Sequence, residues 1–277
     1  ALSQEFPVGE GHYSADDVIL YHLGVGAGVP ATDPSELEYT YEKNLKVLPS
    51  FVTVAHSGAG AAIFGVPGVE FNPALMLHGE QDVEIHRPLP TAATTKSRGR
   101  VADVFDKGKA ALVMLEYEAR DESGEPLYTT RMGAFIRGEG GFGGPAGPKA
   151  GNEPPAREPD GVVESRTLPQ QALLYRLNGD KNPLHADPDF AKTAGFEQPI
   201  IHGLCSYGIA CKAVVDSALG GDPTKVARYQ ARFRGVAFPG ETYLTSWWRQ
   251  DDRILLAVKS KERDAPIITN AAIWVRS

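Results

Sequence analysis

The chain has 277 residues, enough for one large domain or two of ordinary size. Its 42% hydrophobic and 23% charged residues fit a globular protein, and no apolar run reaches the roughly eighteen residues of a membrane span. Lys+Arg 28 against Asp+Glu 35 leaves −7 with no basic tract, which argues against nucleic acid as a partner.

The first twenty residues carry Glu5, Glu10, Asp16 and Asp17 and lack the basic and then apolar regions of a secretion signal. "GVGAGV" (24–29) has the look of a dinucleotide loop, but Val29 stands where the third glycine belongs and no strand–helix context supports it. "GAGAAIFG" (58–65) lacks the Lys-Ser/Thr of a phosphate loop and is better read as helix packing. Alternation of apolar with polar residues predicts strands in "KAALVMLEYEAR" (109–120) and "PLYTTRMGAFIRG" (126–138). His12, His22, His56 and His86 are read as structural or surface residues.

Residues 138–161, "GEGGFGGPAGPKAGNEPPAREPDG", hold too little apolar content to repay ordering as a packed element. They are read as a linker between a domain at 1–137 and a second at 162–277. The two halves resemble each other. "SADDVILYHLGVGAGVP" (14–30) lies over "LPQQALLYRLNGDKNPL" (168–184), placing Tyr21 on Tyr175 and Leu23 on Leu177. "VEIHRPLPTAATTKSRGRVADV" (83–104) lies over "ARFRGVAFPGETYLTSWWRQDD" (231–252), with Pro90 on Pro239. "RILLAVKSK" (253–261) and "PIITNAAIWVRS" (266–277) then repeat the closing strands. A repeat of this length, made of strands plus a helix, predicts a duplicated antiparallel domain rather than a solenoid.

The halves differ in two places. Gly26 and Gly28 fall opposite Asp180 and Asn182, so any chemistry belongs to the second half, once per chain. Twelve positions separate His78 from Pro90, whereas thirty-seven separate His202 from Pro239. The excess includes "LCSYGIACKAVVDSAL" (204–219), whose apolar stripe predicts a central helix that the first half lacks there. A sheet wrapped around no long helix leaves a groove for a long apolar ligand. Cys205 and Cys211 lie on that helix and read as small core residues in a reducing compartment.

In "GDKNPLHADPDF" (179–190), Pro183 prevents a regular helix, so Asp180, Asn182 and His185 sit on a loop after the helix "LPQQALLYRL". Asp187-Pro188 predicts an N-cap with proline at the first helical position. Asx turns, a cap and one packed histidine would account for each residue singly. Together, an acid, an amide and an imidazole can hold a water and move its proton. The N–H of Gly203, opening the long helix, would face an oxygen gaining negative charge. Base, water and oxyanion donor describe addition of water across a double bond conjugated to a carbonyl. Asp180 with His185 could ligate a metal only with partners the sequence does not reveal, so none is expected.

"YRLNGDKNPLHADPDFAKTAGF" followed by "PIIHGLCSYG" closely resembles the signature of the MaoC-like hydratases, in particular hydratase 2, the (R)-specific 2-enoyl-CoA hydratase. "YHLGVGAG", "FNPALMLHGEQ", "DKGKAA" and "ARFRGVAFPGET" extend the likeness over most of the chain. The resemblance implies an α+β double hot dog fold of two antiparallel sheets. It also implies that Asp180 and His185 grip the catalytic water, Asn182 orients it, and the Gly203 amide holds the thioester oxygen. His78, Gly79, Lys107 and Phe233 match positions that contact acyl-CoA. No metal or redox cofactor is expected, and homodimerisation is implied by the likeness alone.

Two rival activities fit the same residues less well: a hot dog thioesterase, which would release free thiol, and a non-catalytic acyl-CoA binder. The ending "WVRS" is not a Ser-Lys-Leu address, so a cytoplasmic setting is expected ahead of a peroxisomal one.

Overall fold

The computed structural model describes residues 5–55, 71–72 and 75–276. The segment 58–65 lies outside these, and its reading as helix packing with it.

Ten strands dominate the described residues: β1 (Glu5–Tyr13), β2 (Met76–Ile85), β3 (Ala93–Asp106), β4 (Ala110–Asp121), β5 (Pro126–Arg137), β6 (Gly161–Arg166), β7 (Val226–Phe233), β8 (Thr242–Gln250), β9 (Arg253–Ser260) and β10 (Pro266–Val275). They form one antiparallel sheet in the order β1-β3-β4-β5-β2-β7-β10-β9-β8-β6. Numbered within its own half, each set of five runs 1-3-4-5-2, so the duplication read from the sequence is a duplication of topology. Each half is a hot dog sheet. The expected two sheets run together edge to edge, because the second strand of each half would otherwise end in unpaired N–H and C=O groups. β2 and β7 satisfy one another, in register from Glu80↔Arg232 to Glu84↔Arg228. Charge pairs reinforce the seam: Arg232 meets Glu80 at 2.7 Å, and Arg228 grips both carboxylate oxygens of the buried Asp82 at 2.8 and 2.6 Å.

The helices are α1 (Ala15–Gly24), α2 (Pro34–Thr40), α3 (Gln171–Tyr175), α4 (Pro188–Thr193) and α5 (Gly203–Ala218). α1 starts at a capping box, in which Ser14 and Asp17 satisfy each other's backbone N–H groups. α3 is shorter than the predicted helix "LPQQALLYRL". It tightens into a 3-10 turn over Arg176–Asn178 and stops at Gly179, whose φ of 119° reverses the chain. α5 is the predicted central helix, and among the described residues the first half has nothing as long. Cys205 and Cys211 on it are buried and free.

α5 crosses α1 at Gly208, where an added Cβ would lie 2.5 Å from both the Tyr21 hydroxyl and Val25 Cγ1. Glycine, costly inside a helix, is the residue that permits this approach. One core cluster runs through both halves, with Tyr21, Phe51 and Leu127 on one side and Tyr207, Tyr229 and Ile254 on the other.

Residues 138–160 form no helix or strand, and β6 begins at Gly161, the last residue assigned to the linker. The segment is nonetheless tied down. The carboxylate of Asp106 accepts the N–H groups of Gly141 and Gly143 at 2.9 and 2.8 Å, and Asn152 and Gly151 bond Gln230 and Asn270. Hydrogen bonds fix what the composition could not fix by burial.

Candidate active site

The loop after α3 is built from local capping. Asp180 Oδ1 accepts the N–H of Asn182 at 3.1 Å, and Asn182 Oδ1 accepts that of Leu184 at 3.0 Å, opening a 3-10 turn over Pro183–His185. Asp187 caps α4 as expected, accepting the N–H groups of Asp189 and Phe190. The Asx turns of the plainer reading are therefore present, and they hold Asp180, Asn182 and His185 together on one short loop. Asp180 and Asn182 stay exposed, while His185 is turned inward at 8% exposure.

The Nδ1–H of His185 donates to the Ile200 carbonyl at 2.8 Å. That partner assigns the tautomer and leaves the Nε2 lone pair free. His202, missed as a side chain by the sequence reading, completes the arrangement. Its ring stacks on that of His185, centroids 3.7 Å apart and planes 27° apart, and its Nε2 lies 3.3 Å from the main-chain carbonyl of Asp180. One polar side-chain atom from each of Asp180, His185 and His202 lies within 4.8 Å of the others. The sequence signal for His202 is its place next to Gly203, whose amide alone enters the expected site.

Electrostatics keep both imidazoles neutral. Burial pushes the pKa of His185 below the ordinary histidine value, against the pull of the Ile200 carbonyl and the Asp180 charge. Burial lowers His202 as well, helped by its neighbour His185.

α5 begins at His202 without a side-chain cap, and the Gly203 N–H has no protein acceptor among the described residues. Phe233, at the end of β7, lies against Gly203: a Cβ on Gly203 would sit 3.4 Å from its ring. The same ring meets His78 edge-on at 5.0 Å. Both predicted acyl-CoA positions thus join the site across the seam. Burial lowers His78 to a pKa of about 4, with its Nε2 donating to the Glu80 carbonyl at 3.1 Å. Gly79 sits in a bulge, since His78 pairs with Ala134 and Glu80 with Gly133, leaving it unpaired.

Lys107 stands apart from this group. The β2–β5 and β3–β4–β5 registers put it at the same end of the sheet as His78, but three strands away, roughly 14 Å at about 4.8 Å per strand. Its ammonium donates to the linker carbonyl of Ala146 and lies 5.5 Å from the Phe105 ring.

Residues 12–138 match the domain described as MFE-2 hydratase 2 N-terminal, and residues 150–271 match the MaoC-like domain. The chain belongs to the MaoC-like, hydratase 2 family. It is 44% identical to the enoyl-CoA hydratase ChsH3 of Mycobacterium tuberculosis, over 97% of this chain and 94% of that protein. It is 42% identical to the peroxisomal enoyl-CoA hydratase 2 of Arabidopsis thaliana, over 96% of this chain and 92% of that one. Among solved structures, a MaoC-like dehydratase from Phytophthora capsici superposes with a TM-score of 0.88 at 34% identity, covering 99% of this chain and 96% of its own. This hydratase 2 homologue has no helix among the described residues that is long and apolar enough to cross a membrane.

Proposed function

We infer that the protein reversibly hydrates trans-2-enoyl-CoA to (3R)-3-hydroxyacyl-CoA in fatty acyl metabolism. The observation that carries the reading is the meeting of the Asp180 carboxylate with His185, whose Nε2 lone pair is freed by the Ile200 carbonyl, at the head of α5. A water between carboxylate and imidazole gives its oxygen to C3 as the pair takes up its proton. The thioester oxygen gains charge as the double bond electrons move, and the Gly203 N–H at the positive end of α5 holds it. The pair then delivers a proton to C2. Water is consumed whole and nothing is oxidised or reduced, so the chemistry requires no redox cofactor.

A metal-free reading is supported by the hydrogen bonding of His202. His202 Nε2 faces the Asp180 carbonyl at 3.3 Å, which calls for an N–H at that nitrogen rather than a lone pair for an ion, although Asp180, His185 and His202 lie close enough together to hold one. Asn182, engaged in its turn, orients the loop and through it the groups that hold the water. Phe233 and His78 form the wall that faces the acyl thioester. Lys107 is assigned here to holding the linker, with its remaining donors available to a phosphate of CoA.

The test is spectrophotometric. Crotonyl-CoA should lose its conjugated absorbance without releasing thiol, and chiral analysis should return the (3R) product. Release of thiol, or a (3S) product, would refute the assignment.

A further inference from the structure

We propose that His202 is a positioning residue that holds the acid and the base of the site in register; the proposal rests on the hydratase reading. His202 is 1% exposed and touches three parts of the machinery at once. Its ring lies flat against His185 at 3.7 Å. Its Nε2 faces the Asp180 carbonyl at 3.3 Å. Its own carbonyl accepts the N–H groups of Cys205 and Ser206 at 3.1 and 3.2 Å, which fixes the first turn of α5 and the Gly203 amide within it.

The tautomer follows from the surroundings. Nδ1 of His202 is buried without a partner among the described residues. A proton there would be an unsatisfied buried donor and would turn the Nε2 lone pair toward a carbonyl oxygen, so the proton belongs on Nε2. His202 therefore donates to Asp180 through Nε2 and offers no proton to a substrate from Nδ1. It acts through its neighbours.

Behind it stands a column of rings that reaches into the first half. Tyr175 lies 5.0 Å from His202, Tyr21 lies 6.1 Å from Tyr175, and Phe51 lies 5.6 Å from Tyr21. The column gives His202 a rigid back, and His202 passes that rigidity to Asp180, whose turn is otherwise exposed. Loss of this brace would loosen the reacting groups while leaving the acyl-CoA wall of Phe233 and His78 in place.

His202→Phe keeps a ring in the stack and removes the N–H; His202→Gln keeps a donor and removes the ring. Both are compared with wild type for kcat, KM and Tm on crotonyl-CoA, alone and in an Asp180→Ala background. Wild-type turnover measured alongside separates a failure of this proposal from a failure of the hydratase reading. His202→Phe should lower kcat about 10- to 100-fold, the range for loss of a supporting hydrogen bond, with KM changed less than about threefold. His202→Gln should recover part of that loss. In the Asp180→Ala background, Phe at 202 should cost no more than about twofold further, because the group it positions is already gone. A lowered Tm with kcat per folded molecule intact would overturn the proposal, as would a full additional loss without Asp180. If the Phe variant does not fold, the Gln variant decides: it keeps the donor but loses the stack on His185, so its kcat per folded molecule should still fall, and an unchanged kcat would overturn the proposal.

Discussion

Asp180 and His185 each have a main-chain partner that fixes one end of the group and leaves the other free to react. Removing either side chain should lower kcat about 10²- to 10⁴-fold, the usual worth of a positioned acid–base group, with the Tm nearly unchanged for the exposed Asp180. The pH profile follows from the direction of the His185 shift. Burial holds its pKa below about 6.5, so the lone pair survives below that pH and the acid limb of kcat should fall there. Because the Asp180 charge raises His185, Asp180→Asn should move the His185 titration lower still, read by NMR. Gly203 separates substrate from fold. A methyl on it meets Phe233 only at ordinary contact distance, so Gly203→Ala should keep or raise the Tm. The same methyl crowds the amide proposed to hold the thioester oxygen, so kcat/KM should drop about 10²-fold. At this scale the sequence was legible where neighbours in the chain stay neighbours in space, as in the loop from Asp180 to His185. His202 escaped because stacking depends on how α5 returns to that loop, and so did the bond from Lys107 to the Ala146 carbonyl, thirty-nine positions away.

α5 packs against α1 at Gly208, and Cys205 Sγ donates to the Gly24 carbonyl beside it. Gly208→Ala would drive a methyl into the Tyr21 hydroxyl and Val25, neither of which can retreat within the core, and should cost about 1–3 kcal/mol. A thermal or urea midpoint would measure this. His22 holds the other side of α1: Nδ1–H donates to the Tyr39 carbonyl at 2.8 Å, and Nε2 accepts the Leu48 N–H at 3.2 Å. Burial lowers its pKa to about 4, so the neutral form is the one that fits. Its stabilising effect is complete above the unfolded value of about 6.5 and declines as pH falls toward 4. Near pH 4 the loss approaches about 3 kcal/mol, at 1.36 kcal/mol per unit. His22→Gln should flatten the stability curve across that window, measured as urea midpoints from pH 7 to 4. The elements themselves were legible, since period and caps are local. α3 came out short because Arg176 and Leu177 tightened into a 3-10 turn and Leu168–Gln170 stayed in the turn before it.

The two halves share a core and a seam, so neither is expected to stand alone. Residues 162–277 without their partner would expose the β7 edge, lose Tyr21 and Phe51 from the core cluster, and lose His78 from the site wall. That fragment should aggregate or remain unfolded, and circular dichroism with an assay on crotonyl-CoA should find neither a cooperative transition nor turnover. The joining of two sheets into one was not legible, because pairing between distant edges leaves no periodic mark. The duplication was, and it led to the difference that matters, glycine opposite Asp180 and Asn182.

Tyr21 and Tyr175, matched by the repeat, touch across the midline of the molecule. In an ancestor made of two identical chains, one codon would have supplied both of these rings, and every substitution there would have been felt twice. A single chain carries no such obligation. Its two sides can differ, as they do where Gly26 and Gly28 stand opposite Asp180 and Asn182.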